Sequence, residues 1–205
     1  MLTLDAALVQ LDHRASAKRR AAAGRLRRLA VTTAGPSLLR ALRREVLDPR
    51  TWETQYEMVM ALGACDHRPA VPFLSELAQR PMEHTSVYAA LGDSIVRLRG
   101  AEEGVSAPVR WCLSLGTPQL TDGALRAVAM LRAVPDPETV DLVLDRLVPL
   151  RPHDGLRFWA AAAAAGWPGE RVRAFLESCA AGPRTDVADA AATSLEGTYQ
   201  TYRPL

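Results

Sequence analysis

Two short tracts hold most of the side chains in this sequence that are suited to gripping another molecule. Trp52-Glu53-Thr54-Gln55-Tyr56-Glu57 packs two aromatics and four polar groups into two helical turns, and His84-Thr85-Ser86-Val87-Tyr88 forms a counterpart further along. Aligning the tracts places Trp52 against Tyr88, which would set two amphipathic aromatics side by side on neighbouring helices. Aromatic anchors ringed by polar groups supply much of the energy at binding surfaces. Trp52, Gln55, Tyr56, His84 and Tyr88 are therefore candidate partner contacts. The competing reading is that Trp52 and Tyr56 simply pack between helices.

A second constellation is electrostatic. The same alignment places Glu57 against Asp93, and Asp93 against Arg126. Asp93 lies among Ala89, Leu91, Ile95 and Val96, where an unpaired carboxylate would be costly. Glu57, Asp93 and Arg126 thus read as a structural ladder between stacked helices rather than as catalytic acids. The histidines, His13, His67, His84 and His153, are scattered, and no His-x-x-x-His or His/Cys cluster suggests a metal. Cys65, Cys112 and Cys179 form no C-x-x-C pair, so reduced thiols are expected and no disulfide framework. Neither a nucleophile elbow nor a Gly-rich phosphate loop occurs. No catalytic residue, metal or cofactor is therefore assigned.

Net charge is only +2, yet its distribution is uneven. Residues 1–50 hold eleven Lys/Arg against four Asp/Glu, and the remainder fourteen against nineteen. A basic head on an acidic body could orient the molecule toward an anionic partner, or the charges could only solvate outer helix faces. Arg40, Arg43 and Arg44 fall at i, i+3 and i+4 of one helix and could contact phosphates without reading bases. Few aromatics interleave with them, so stacking on single-stranded bases is not supported. No basic segment precedes an apolar run at the N-terminus, and the stretch around Phe158–Ala165 is too short to cross a bilayer. A cytoplasmic location is expected, with no membrane.

These residues need helices to position them. The 205 residues are 48% hydrophobic but only 5% aromatic, and Ala and Leu dominate, which favours an all-α chain. Apolar stripes at helical spacing follow one another from residue 17 to about 199, broken by Gly35-Pro36, Asp48-Pro49, Gly63 with Asp66–Pro69, Gly100 with Gly104, and Pro135-Asp136-Pro137. Pro36 suits a first helical turn, and Thr51 is the expected N-cap of the helix carrying Trp52. Leu29, Leu62, Leu98, Leu131 and Ala165 occupy equivalent places near the ends of alternate helices, separated by 33, 36, 33 and 34 residues. Such a period, with a helix–turn–helix in each unit, is the signature of a solenoid. One domain is expected, with about five helix pairs over 16–183, an N-terminal cap over 1–15, and a C-terminal capping helix and tail over 184–205.

Ala61-Leu62-Gly63-Ala64-Cys65-Asp66-His67-Arg68-Pro69-Ala70-Val71-Pro72-Phe73-Leu74 resembles the HEAT-like repeats of the bilin-lyase type. Pro135-Asp136-Pro137-Glu138-Thr139-Val140 with Leu144 looks like the same turn in a later unit. The resemblance implies an armadillo-like, right-handed α–α superhelix whose second helices line the concave side, and it implies no lyase activity. It adds Arg110 and Trp111, on a second helix, as partner contacts, whereas Arg157 and Trp159, on a first helix, read as packing residues. The leading expectation is a non-catalytic scaffold that binds a protein or peptide. One alternative is nucleic-acid binding through the basic N-terminal repeat, by analogy with HEAT-like DNA alkyl-glycosylases, whose motifs map to no particular residues here. Another is a small-molecule enzyme or carrier with a groove lined by Tyr56, His84 and Tyr88.

Overall fold

The computed structural model describes residues 2–200, and these form helices and turns with no strand. The helices are α1 (Leu4–Gln10), α2 (Ser16–Leu29), α3 (Gly35–Glu45), α4 (Trp52–Ala64), α5 (Val71–Ala78) and α6 (Ser86–Glu103). After them come α7 (Ser106–Ser114), α8 (Pro118–Leu131), α9 (Pro137–Leu147), α10 (Arg157–Ala163), α11 (Glu170–Ala180) and α12 (Thr185–Leu195).

Local chemistry sets their limits. The Thr3 hydroxyl accepts the Ala6 N–H at 3.2 Å to start α1, and the Asp136 carboxylate accepts the Thr139 N–H at 2.8 Å to start α9, with Pro137 in the first turn. Thr51 does not cap α4 as expected. Its hydroxyl donates backward to the Asp48 carbonyl at 2.9 Å, while the Asp48 carboxylate caps the short turn Pro49–Thr51 by accepting the Arg50 N–H. Gly100 does not end α6, which runs to Glu103 and stops at Gly104, where φ is +75°. Non-glycine residues in the left-handed region, Ala30, Asp66 and Arg132, turn the corners after α2, α4 and α8.

The helices pack in two rows. α2, α4, α6, α8, α10 and α12 each lie against the next, and α3, α5 and α11 lean mainly on the first-row helix that follows them. α7 touches α6 and α8 alike, and α1 lies on α2 as α3 lies on α4. The closest approach is between α6 and α8. A β-carbon at Gly123 would stand 1.9 Å from the Ala89 carbonyl oxygen, and one at Gly92 would stand 2.1 Å from that of Leu120. Glycine at both places lets the two backbones meet.

The core runs along the seam between the rows, through Leu26, Leu38, Leu42, Leu62, Leu74, Leu91, Leu98, Leu125 and Val143. Of the five positions the period aligned, Leu62 and Leu98 are buried, Leu29 and Ala165 are partly buried, and Leu131 is 48% exposed. The register slips because α6 continues past Leu98 for more than a turn, whereas α8 ends at Leu131, with Arg132 at φ +52° turning the chain away. Leu120, Leu125 and Val128 carry the seam in α8 instead.

Candidate functional site

The first-row helices α4, α6 and α8 share one polar network. Asp93 on α6 has a side chain only 1% exposed, and it accepts from two guanidiniums: Arg97 Nε at 2.6 Å and Arg126 Nε at 3.0 Å. Arg126 extends further, donating through Nη1 to the Tyr56 hydroxyl at 2.7 Å and through Nη2 to the Met60 sulfur at 2.8 Å. One side chain on α8 thus crosses α6 to reach α4. Burial works against the Arg126 cation, but Asp93 and Tyr56 outweigh it and raise its pKa. Glu57 is not joined to Asp93. It faces Arg27 of α2, at 3.5 Å.

On the same face of α8, one turn before Arg126, stands Asp122, which is partly buried. Its carboxyl has neither a hydrogen bond nor an ion pair among the described residues, and burial pushes its pKa from 3.8 up to about 6, against the pull of Arg126 and Arg184. Both of those arginines are already engaged, Arg126 as above and Arg184 with Asp186 at 2.7 Å. Asp122 is thus a half-buried acceptor with no protein donor among the described residues. Gln119, Asp122, Arg126 and Met130 form one stripe along α8, none of them fully buried.

The aromatic tract divides between two places. Trp52 stacks on His84, with ring centroids 5.3 Å apart, and not on Tyr88. The Trp52–His84 pair lines a cleft of about 290 Å³ with Gln55, Pro49, Met82 and Glu83. Gln55 is held in place, its amide donating to the carbonyls of Glu45 and Asp48 at 3.3 and 2.9 Å. Tyr56 and Tyr88 do not line this cleft. Tyr56 belongs to the Arg126 network, and Tyr88 is buried with its hydroxyl donating to the Arg80 carbonyl at 2.5 Å. Their separation follows from the chain path. Residues 79–85 form an irregular link before α6, so His84 reaches Trp52 from the link while Tyr88 turns inward from the first turn of the helix.

The second-row candidates differ among themselves. Arg110 joins α7 to the start of α9, donating to the Asp136 carboxylate at 2.9 Å and the Thr139 hydroxyl at 2.8 Å. Hydrogen bonds, first from Thr139, hold the Asp136 carboxyl well below the usual carboxylate range. Trp111 lies partly buried under the Arg99 guanidinium. Arg40, Arg43 and Arg44 are exposed on α3: Arg40 donates to Ser37, Arg43 covers the Phe73 ring at 5.1 Å, and Arg44 pairs with Asp12. Arg157 is buried, donating to the Val148 and Leu150 carbonyls beyond α9, with Nε left without a partner. The three thiols are free and buried, and desolvation pushes Cys65 up to about 11 and Cys112 up to about 12. Among the described residues no group of three His, Cys, Asp or Glu side chains could hold a metal ion, and no helix is long and apolar enough to cross a membrane.

Sequence reasoning missed Asp122 and Arg97. The signal for Asp122 was present as an acid four residues before Arg126 on the polar stripe of α8. For Arg97 it was the same i, i+4 spacing after Asp93.

Comparison with known protein families and with curated proteins finds no match to this chain. Among solved structures, the chain is similar to the crystal structure of an engineered protein from a structural genomics consortium. The TM-score is 0.54 and the identity 19%, over 96% of this chain and 98% of the other. At that identity the likeness is one of fold, an all-helical chain of packed neighbouring helices.

Proposed function

We propose that this chain is a non-catalytic binding module of the HEAT-like solenoid kind, which takes a protein or peptide partner on the face of its first-row helices. The observation that carries this reading is Asp122. On a face where Asp93 is answered by two arginines and Arg126 by three acceptors, the half-buried Asp122 carboxylate alone has no donor among the described residues. A fold retains such a cost where a partner supplies the missing donor. The span of Arg126 from α8 across α6 to α4 supports a row bent toward this face, as in a right-handed superhelix. The concave side is then lined by α4, α6 and α8, and not by α3, α5 and α7 as the resemblance implied. Gln119 and Met130 extend the contact stripe, and Tyr56 is pre-set by its bond to Arg126. Because the helices pack mainly on their immediate neighbours, with Arg126 the longer reach, such a face can be broad without a single large pocket.

The test is site-specific photocrosslinking from a benzoylphenylalanine at Gln119 in cells, followed by mass spectrometry. A defined protein adduct is expected, and it should vanish in Asp122→Lys while persisting in Arg171→Gln, a variant on an outer helix. Recovery of no protein adduct, or of the same adduct in equal yield from Asp122→Lys, would sink the reading.

A further inference from the structure

The ion pairs divide the molecule. Of the eleven Lys/Arg in residues 1–50, five pair with a carboxylate: Arg19, Arg20, Arg27, Arg44 and Arg50. Among the described residues the other six have no such partner, and in this stretch only Asp5 is a carboxylate without a cation. Beyond residue 50 the balance reverses. Nine of the thirteen described arginines there are paired, while seven carboxylates, Asp122 among them, have no cation among the described residues.

Of the six unpaired cations, Arg14 lines a cleft that it shares with the paired Arg19 and Arg44. That cleft, of about 330 Å³, lies between the α1–α2 turn and α3 and also holds His13 and three carboxylates, Asp12, Glu45 and Asp48, so the cations open to an anion are those on its exposed rim. Lys18 lies one turn after Arg14 on α2, and Arg40 lies one turn before Arg44 on α3 with Arg43 beside it. Arg14, Lys18, Arg40 and Arg43 are all exposed. Arg44 is held only by Asp12, and with both side chains more than 60% exposed that pair gains little and exchanges readily with another anion. We infer that this surface, centred on Arg14, Lys18, Arg40 and Arg43, binds the phosphate backbone of a nucleic acid, independently of any partner on the first-row face.

The chemistry favours a linear polyanion over a lone carboxylate. The cations are spread along two helices rather than converging on one point, which matches a chain of evenly spaced charges. Exposed guanidiniums release counterions from phosphates and fork onto their oxygens. Aromatic faces are scarce on this surface. Phe73 lies beneath Arg43, so contacts would be to backbone phosphates and indifferent to sequence.

Fluorescence anisotropy with labelled mixed-sequence duplex DNA, titrated at several salt concentrations, tests this. Binding is expected at low salt, with log affinity falling linearly in log salt. Arg40→Gln/Arg43→Gln should weaken binding about tenfold or more and reduce the salt slope by about 2. Arg14→Gln/Lys18→Gln, in the α1–α2 turn and the start of α2, should do the same, which separates the effect from misfolding of either element. Arg171→Gln should change neither affinity nor slope beyond about 1 in slope. Absence of binding at low salt, or an unchanged slope in both double variants, overturns the inference. So does binding to phosphatidylserine vesicles with none to DNA, which would reassign the surface to a membrane. The photocrosslink from Gln119 is unaffected by these outcomes, so the two readings fail separately.

Discussion

The middle of the first row and the N-terminal edge of the molecule treat charge in opposite ways. Between α4 and α8 the buried carboxylate of Asp93 is met by Arg97 and Arg126, and Arg126 is used by three acceptors on two helices. Around α3 and the start of α2, Arg14, Lys18, Arg40 and Arg43 meet no carboxylate and face solvent. Inside a low-dielectric seam an unanswered charge is expensive, so what persists there is paired and holds helices in register. On a surface an unanswered charge costs little and stays available. Asp122 falls between these regimes, half-buried and yet unpaired among the described residues, which is why the proposed contact face is drawn around it.

The contrast can be broken from the inside first. Arg126→Met keeps most of the volume but leaves Asp93 with one partner and Tyr56 with none. It is expected to lower unfolding free energy by about 2–4 kcal/mol in urea denaturation, because one charge-assisted bond and the Tyr56 bond are lost while Arg97 still compensates Asp93. A loss under about 1 kcal/mol would mean that the network is ornamental and the glycine contact alone holds α6 to α8.

Asp122→Asn should act in the other direction. Folding raises this carboxyl from 3.8 to about 6, so the folded state binds a proton that the unfolded chain releases. Stability contributed by that proton is present below about pH 4 and is lost as pH rises through about 6. The amide, which mimics the neutral acid, should therefore stabilise the protein at pH 7 by at most about 3 kcal/mol and leave it unchanged near pH 4. A series of denaturation curves across that window checks the sign. A gain at pH 4 equal to that at pH 7 would show that the carboxylate is not the source.

The smallest effect is expected at the edge. Arg40→Gln/Arg43→Gln should leave thermal stability within about 0.5 kcal/mol of the parent. A larger drop would show that these arginines brace α3 against Phe73, and the division drawn above would narrow.

Part of this was legible in the residues. An acid set among Ala89, Leu91, Ile95 and Val96 demands a cation, and the repeat spacing supplied Arg126. The helices and most of their ends followed from Pro, Gly and apolar spacing. What the chain did not reveal was set by paths between helices. Whether α3 leans on α2 or on α4 depends on the turn at 30–34, not on its stripe, and that choice decides which helices line each face of the molecule. Trp52 met His84 and not Tyr88 because the irregular link at 79–85 displaces the alignment. Leu131 lies exposed because α8 ends where α6 continues. Asp122 was passed over because an acid on a polar stripe looks ordinary until its neighbours prove to be taken.

The forward lean of α3, α5 and α11 has a practical corollary for anyone who wishes to shorten, lengthen or graft this protein. A segment excised from the start of α2 to the end of α3 would orphan α1 and strip α4 of its outer cover. A segment cut at the left-handed corners after α2 and α4 would remove α3 together with its platform and bring like surfaces together. The interchangeable brick of this architecture thus begins with the outer rod and finishes with the inner one, with Ala30 and Asp66 as the mortar joints.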